Sequence, residues 1–261
     1  MWLNENDPYA VAWLGNLIGG GRLRGRIDPR SIVDVRPSDI DGRHCHFFAG
    51  IGGWPYALEL AGWPDDWEVW TASLPCQPLS VAGKRLGADD ERHLWPVFYR
   101  LVAERRPATI FGEQVASKDG REWLAAVRAD LEEIGYAVAA ACLPACGVGA
   151  PHRRYRLFWV AADGGSLADG DATGWRIERS RGLSGDGDAS YGNDADRRGA
   201  WDDLEWIFCR DGKWRPTQPG LQPLALGVPS RVGRLRAYGN AIVAPLATEF
   251  IRAYLEAEDL C

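Results

Sequence analysis

The chain has 261 residues, a net charge of −6 and 46% apolar residues, which fits one large α/β domain with a small appendage. No apolar run approaches the roughly 18 residues of a membrane span, and the first residues lack the pattern of a secretory signal, so we expect a cytoplasmic protein without membrane contact. Six scattered cysteines without a CxxC pair favour reduced thiols over a disulfide framework.

Strands and helices alternate along the first part of the chain. A short strand at MWL precedes a helix over DPYAVAWLGNLI, which has an Asp cap, Pro at its first position and three glycines after it. RIDPRSIVDV predicts a short strand or turn that enters a short helix. RHCHFFAG predicts a strand that ends in glycines, WPYALELAG a helix closed by Gly62, and EVWTASLP the next strand.

The same alternation continues to the end of the chain. Helices are predicted at HLWPVFYRLVAERR and GREWLAAVRADLEEIGY, with the strand PATIFGEQV between them. AVAAACLPA and YRLFWVAA predict two further strands, and NAIVAPLATEFIRAYLEAE predicts a closing helix. This order predicts an α/β fold with a doubly wound, mostly parallel, Rossmann-like sheet.

Two neighbouring stretches have an unusual composition. Residues 163–205 contain 11 acidic residues, five arginines and nine glycines, which is typical of a long, loosely structured excursion. Residues 206–236 contain six Lys and Arg against one Asp, mixed with Trp, Phe, Pro and Gly. A basic surface with aromatic residues suits a polyanion, and a solvated basic loop is the alternative.

Three turns fall at the carboxyl ends of predicted strands, where open α/β sheets bind ligands. Glycines in FFAGIGGW let backbone N–H groups approach a ligand at a helix N-terminus. Cys76, in LPCQPLS, is either a nucleophile with a lowered pKa or a buried structural thiol. Glu113, in FGEQV, can protonate or hydrogen-bond a heterocycle, and a helix cap or a salt bridge is the alternative.

A pair of arginines starts the strand after these turns. Arg154 and Arg156, in PHRRYR, are two residues apart and therefore share one face of the strand. Two guanidinium groups on one face suit a base carbonyl and phosphates, and a surface ion pair is the alternative.

No metal site is expected. The candidate ligands match no standard zinc spacing: Cys142, Cys146 and His152, and the HCH stretch at 44–46. Alternation along a strand also places His44 and His46 on one face and Cys45 on the other.

Taken in order, these turns resemble the motif set of the DNA cytosine-5 methyltransferases. FAGIGG, PCQPLSVAGKR, GEQV, PHRRYRLFWV and AYGNAIVAPLA resemble the family's F-x-G-x-G, P-C-Q-x-x-S, E-N-V, Q-x-R-x-R and G-N-x-V-x-P. The resemblance covers residues 44–161 and 237–252, with Gln114 and His152 in place of the family's Asn and Gln. It implies a class I S-adenosylmethionine-dependent methyltransferase that acts as a monomer on double-stranded DNA, in a bacterial or phage restriction-modification setting.

The resemblance also implies a role for each catalytic residue. Cys76 is implied to add to C6 of a flipped cytosine. Glu113 is implied to contact N3 and the 4-amino group, and Arg154 to contact O2 of the base with Arg156 beside it. C5 then attacks the methyl group of S-adenosylmethionine, and loss of the C5 proton with β-elimination frees the thiolate.

The cofactor residues implied by the resemblance include one departure in chain order. Only 21 residues separate the glycine turn from Pro75, too few for the two acid-bearing strands that the family places there. LNENDPYAVAWLGNLI and GRIDPRSI resemble those segments, so residues 1–42 are predicted to supply both strands in permuted order. Glu5 becomes the ribose acid, and Asp28 is the candidate adenine acid because Arg26 stands where Asp is usual. The remaining implied cofactor contacts are Phe48, Gly50, Ile51, Gly52, Gly53, Pro75 and Asn240.

The resemblance divides the chain into three parts. Residues 1–162 are the predicted catalytic domain, in which 1–42 are the permuted cofactor segment. Residues 163–236 fall where the family has its target-recognition region, which here is small and rich in loops. Residues 237–261 are predicted to return to the catalytic domain as a helix.

Three other functions use the same features. A cytosine deaminase-like enzyme and an RNA-directed relative would keep the Cys76 chemistry, whereas a DNA-binding pseudoenzyme would not. A sound cofactor pocket at Glu5 and Asp28 argues for methylation over deamination. Intact Cys76, Glu113 and Arg154 argue against a pseudoenzyme.

Overall fold

The computed structural model describes residues 1–75, 94–164, 205–208, 212, 214–217 and 239–258. Seven strands form one sheet: β1 (Trp2–Asn4), β2 (Arg26–Asp28), β3 (His44–Phe47), β4 (Val69–Ala72), β5 (Thr109–Val115), β6 (Tyr136–Pro144) and β7 (Tyr155–Asp163). Among the described residues, five α-helices accompany them: α1 (Pro8–Gly19), α2 (Gly53–Ala61), α3 (Trp95–Arg105), α4 (Lys118–Glu133) and α5 (Ala244–Glu258). Within these residues, no helix is both long enough and apolar enough to cross a membrane.

The strands lie in the order β2-β1-β3-β4-β5-β7-β6. The first five pair in parallel, whereas β7 pairs antiparallel with both β5 and β6. The predicted doubly wound, mostly parallel sheet is confirmed. The sequence pattern did not single out β7 as the reversed strand.

Strand β1 lies between β2 and β3. Leu3 pairs with Ile27 on one side and with His46 on the other. Residues 1–42 therefore supply two strands next to the strand that leads into the glycine turn, which is the placement that the sequence predicts. The cofactor role of this segment stays a prediction, as do the three domain boundaries.

Helix α1 shows why the amino-terminal segment folds locally. The Asp7 carboxylate accepts hydrogen bonds from the N–H groups of Tyr9 and Ala10, both at 3.0 Å, and Pro8 occupies the first helical position. Ala10 and Leu14 are the buried residues of the helix. Leu14 packs with Leu3 of β1, so the capped helix covers one face of the strand beside it.

Aromatic side chains fill the core on both faces of the sheet. On one face, Phe47 of β3 lies 4.9 Å from Trp70 of β4 and 5.0 Å from Phe98 of α3, between ring centroids. On the other face, Phe111 of β5 lies 5.4 Å from Tyr254 of α5 and packs between α2 and α5. Helices α1, α2 and α5 therefore cover one face, and α3 and α4 cover the other.

Helix α5 begins later than the sequence pattern predicts. The pattern favours a helix from Asn240, whereas the structure starts the helix at Ala244. Val243 accepts the N–H groups of Leu246 and Ala247, and so begins the first turn. Pro245 lacks an N–H group and is tolerated in a first turn, which explains the later start.

A second compact unit contains an antiparallel pair of strands. These are β8 (Glu205–Phe208) and β9 (Trp214–Thr217), in which Glu205 pairs with Thr217. The pair falls within the segment 163–236, for which target recognition stays a prediction.

Candidate active site

The glycine turn connects β3 to α2. Three of its residues have left-handed backbone angles: Phe48 (φ 53°), Gly50 (φ 56°) and Gly52 (φ 87°). A left-handed Phe is uncommon, and such strain clusters at ligand-binding sites. A Cβ added to Gly50 would meet only the Phe48 carbonyl oxygen, at 3.9 Å, so space remains beside the turn. Ile51, Gly53 and Gly50 are partly exposed, and a ligand can therefore reach their backbone.

Glu5 joins β1 to this turn. One oxygen of its carboxylate accepts the Gly50 N–H at 2.7 Å, and the other accepts the Asp7 N–H at 2.8 Å. A carboxylate can accept about four hydrogen bonds, so each oxygen keeps one free acceptor position. The structure thus places Glu5 beside the glycine turn, as the sequence predicts. The pair of free acceptor positions suits two neighbouring hydroxyl groups.

Asp28 is the last residue of β2, and its carboxylate binds the Arg30 side chain. Its carboxylate accepts the backbone N–H of Arg30 at 3.1 Å and two guanidinium nitrogens at 2.9 and 2.6 Å. The side chain is 3% exposed, and Arg30 holds the pKa of Asp28 below its usual range. Asn4 fixes the same turn by donating to the carbonyls of Asp28 and Arg30. A contact of this carboxylate with adenine would require Arg30 to move, and that role stays a prediction.

Glu113 and Arg156 form an ion pair across β5 and β7. The Arg156 Nε lies 2.6 Å from a Glu113 carboxylate oxygen, and the two side chains are 21% and 11% exposed. The strands pair Glu113 with Phe158 and Val115 with Arg156, which places both members of the ion pair on one face. Burial raises the pKa of Glu113, and the positive charges of Arg156 and Arg154 oppose that rise. A carboxyl group with a raised pKa is able to hold a proton for transfer.

Arg154 lies just before β7, and its side chain binds a different partner from that of Arg156. One terminal nitrogen donates to the carbonyl oxygens of Gly239 and Ala241, both at 2.8 Å. Its Nε is buried without an acceptor among the described residues, and its backbone is left-handed at φ 24°. Burial lowers the pKa of Arg154, and Arg156 adds to the effect. The structure therefore brings Arg156 to Glu113, whereas Arg154 contacts the segment before α5.

Cys76 lies outside the described residues, and Pro75 is the last described residue before it. Pro75 is exposed and follows β4, which pairs with β3 on one side and with β5 on the other. The Trp54 indole N–H donates to the Ser73 hydroxyl at 2.9 Å, and this bond ties the end of β4 to α2. Pro75 therefore follows a strand that lies between the strands of the glycine turn and of Glu113, and the role of Cys76 stays a prediction.

Residues 239–243, which we call the return segment, pack against the glycine turn. A Cβ added to Gly53 would lie 2.8 Å from Ile242 Cγ1, so only glycine permits this close approach. Asn240 is exposed within the segment. The contribution of Ile242 was missed from the sequence, because no local pattern signals a contact between residues so far apart.

Three cysteines lie within the described residues. Cys45 is buried, and burial raises the pKa of its thiol to about 12. Cys142 and Cys146 are exposed free thiols on β6 and just after it. Among the residues that the structure describes, no group of three or more His, Cys, Asp or Glu could hold a metal ion.

Solved structures similar to the chain include two of the Dnmt2 type. One is the S. pombe Dnmt2 methyltransferase, at 18% identity and a TM-score of 0.40, covering 51% of this chain and 57% of that protein. The other is a variant of the Spodoptera frugiperda DNMT2, at 16% identity and a TM-score of 0.45, covering 63% of this chain and 43% of that protein.

Residues 62–173 match the profile of the C-5 cytosine-specific DNA methylases. This range includes Pro75, Glu113 and Arg156 but neither Glu5 nor the glycine turn. The type II methyltransferase M.HhaI of Haemophilus parahaemolyticus is 26% identical over 169 residues, which is 49% of this chain and 52% of the relative. M1.ScrFI of Lactococcus lactis subsp. cremoris, also a type II methyltransferase, is 32% identical over 161 residues, or 58% of this chain and 41% of the relative. The chain thus spans about half the length of these relatives, and its similarity to the C-5 cytosine-specific DNA methylases is carried by residues 62–173.

Proposed function

We propose that this chain transfers a methyl group from S-adenosylmethionine to C5 of cytosine in double-stranded DNA. The arrangement that carries the proposal lies at the carboxyl ends of three adjacent strands. The glycine turn follows β3, the chain runs from β4 towards Cys76, and Glu113 lies on β5 with Arg156 beside it. A cofactor site, a nucleophile and a group able to hold a proton would then face one reaction centre.

The cofactor side has groups that fit S-adenosylmethionine. The free acceptor positions on the two Glu5 oxygens match the two ribose hydroxyls. The exposed backbone and the open space beside Gly50 would admit the ligand at the N-terminus of α2. When bound, S-adenosylmethionine supplies an electrophilic methyl group. We infer that Glu5 and the glycine turn hold it.

The base side supports covalent activation of cytosine. Cytosine C5 is a poor nucleophile while the ring is aromatic, so the thiolate of Cys76 first forms a bond to C6 of a flipped base. The electron pair of the C5–C6 double bond moves into the ring, and Glu113 stabilises it by donating a proton or hydrogen bond at N3. C5 would then act as an enamine carbon and accept the methyl group, whose bond to the cofactor sulfur breaks and leaves its electron pair on that sulfur. Removal of the C5 proton restores the double bond as the thiolate leaves C6.

The raised pKa of Glu113 supports its part in this sequence. Donation at N3 requires the protonated carboxyl, and burial favours that form. Arg156 lies against Glu113 and is therefore better placed than Arg154 to meet O2 of the same base. The role of Glu113 is the one that the sequence predicts, whereas the sequence predicts the O2 contact for Arg154 and we propose Arg156 in its place.

We further propose that residues 163–236 contact the DNA duplex. The six Lys and Arg of residues 206–236 provide charge for phosphates, and their Trp and Phe residues provide apolar contact. No target sequence follows from this composition.

The test is methyl transfer itself. The protein is incubated with labelled S-adenosylmethionine and mixed double-stranded DNA, and the DNA is sequenced for 5-methylcytosine. We expect label in DNA from the wild type and none from Cys76→Ser. DNA with 5-fluorocytosine at the target should trap the wild type covalently, since fluorine cannot leave as the C5 proton does.

Three outcomes would contradict the proposal. Uracil without methylcytosine would indicate the deaminase-like alternative. Label in a parallel tRNA reaction, with none in DNA, would indicate an RNA-directed enzyme. DNA binding with neither product nor trapped adduct would indicate a pseudoenzyme.

A further inference from the structure

Arg154 binds the return segment on both sides of Asn240. Both hydrogen bonds, to the carbonyls of Gly239 and Ala241, come from the same terminal nitrogen and measure 2.8 Å. A guanidinium –NH₂ group has two N–H bonds, so these contacts use both of them. The nitrogen that makes them has no donor left for a substrate.

The far end of the return segment lies on the cofactor side of the sheet. Ile242 packs on Gly53, the first residue of α2, with no room for a Cβ between them. Helix α5 then follows α2, where the Thr248 hydroxyl donates to the Ala57 carbonyl at 3.3 Å and Arg252 donates to the Leu60 carbonyl at 2.8 Å. The segment therefore runs from the start of β7 to the N-terminus of the helix that follows the glycine turn.

The two arginines of the PHRRYR stretch thus serve different partners. Arg156 reaches the Glu113 carboxylate, and Arg154 reaches backbone carbonyls of the return segment. We propose that Arg154 is a positioning residue: it holds the return segment in place, with Ile242 packed against Gly53 of the glycine turn, and so maintains the cofactor site. This inference rests on the methyltransferase function proposed above. It leaves Arg156, which lies against Glu113, as the proposed contact with the base.

The position requires a side chain that can donate twice. Arg154→Met keeps the length and the apolar stem but cannot donate a hydrogen bond. Arg154→Lys keeps an ammonium with three donors and can restore part of the contact. Arg156→Met is the matched control, because it removes a guanidinium two residues away without touching the return segment.

Hydrogen exchange of the backbone amides of residues 239–248 tests the contact of Arg154 with the return segment directly, because it needs neither cofactor nor DNA. We expect faster exchange in Arg154→Met, a partial return in Arg154→Lys and wild-type exchange in Arg156→Met. Calorimetric titration with S-adenosylmethionine should show binding about tenfold weaker in Arg154→Met, as expected for the loss of a charge-assisted bond. Arg156→Met should bind the cofactor normally and lose methyl transfer.

Wild-type exchange and cofactor affinity in Arg154→Met, together with lost methyl transfer, would overturn the inference and make Arg154 a direct base contact. If Arg154→Met does not fold, Arg154→Gln decides the question. The glutamine side chain has one amide NH₂ group, so the exchange rates of this variant should lie between those of the wild type and those expected for Arg154→Met. Wild-type exchange would again overturn the inference. A wild type that binds no S-adenosylmethionine would refute the proposed function, whereas the exchange comparison would still test the contact.

Discussion

Replacement of Glu5 tests the junction between β1 and the glycine turn. Glu5→Ala removes the hydrogen bonds to the Gly50 and Asp7 N–H groups, which measure 2.7 and 2.8 Å. A hydrogen bond to a charged group contributes about 1.5–3 kcal/mol. Glu5 is only half-buried, so solvent takes over part of each bond and the lower end of the range applies. We expect the free energy of unfolding to fall by about 3 kcal/mol for the two bonds together.

The same change should also weaken cofactor binding. Glu5→Ala releases the turn and also removes the proposed acceptor of the ribose hydroxyls. The loss of one such charged acceptor corresponds to about ten- to a hundredfold in affinity. The affinity for DNA should not change, because neither Glu5 nor the turn belongs to the proposed DNA contact.

The assays are urea unfolding and calorimetric titration with S-adenosylmethionine. Asn6→Ala is the matched control, since Asn6 is exposed and its side chain makes no hydrogen bond among the described residues. Glu5→Gln should fall between Glu5→Ala and the wild type, because the amide keeps one accepting oxygen. If Glu5→Ala binds the cofactor as tightly as Asn6→Ala does, the assignment of Glu5 to the cofactor site is wrong.

Burial holds the pKa of His46 at about 3, against 6.5 in the unfolded chain, so the unfolded state gains the proton first as the pH falls. The His46 contribution to stability is therefore complete above pH 6.5 and is lost towards pH 3. The free energies of unfolding from urea titrations at pH 6.5 and pH 5 should differ by about 2 kcal/mol in the wild type. The difference should be smaller in His46→Gln. Gly112→Ala places a Cβ in the Trp159 indole and should lower the free energy of unfolding by about 1–3 kcal/mol, whereas Gly15→Ala in α1 has free space and should not destabilise. Glu113→Gln should slow methyl transfer by about 10²–10⁴-fold and abolish the fall in rate as the pH rises through the raised pKa of Glu113; a change below about threefold in single-turnover rate would leave Glu113 only a structural role.

Local signals in the sequence were sufficient for most of the secondary structure. The Asp7 cap and Pro8 predict the start of α1, and Gly62 predicts the end of α2, where it adopts the left-handed conformation. Capping and periodicity depend on residues within one or two turns of each other, so both signals can be recognised in a single sequence. The predicted start of α5 is too early because the apolar residues before Pro245 continue the helical spacing, whereas the helix itself begins at Ala244.

The candidate site was only partly predictable, because its contacts join distant residues. The position of Glu5 beside Gly50 was inferred from a resemblance between motifs and not from periodicity. The pairing of Asp28 with Arg30 depends on how a side chain folds back onto its own turn. The contacts of Arg154 with the return segment depend on the path of the chain over a sequence separation of 85 residues, which no local pattern encodes.

The strand order also has a consequence for folding during synthesis. Strands β1 to β4 are contiguous in the sheet and come from residues 2–72, so this block can pair before α3 leaves the ribosome. Helices α1 and α2 cover one of its faces from within the same stretch. On the opposite face, Phe47 and Trp70 obtain Phe98 as a packing partner only when α3 has been made. We expect the nascent chain to be most prone to aggregation, and most dependent on chaperones, during that interval.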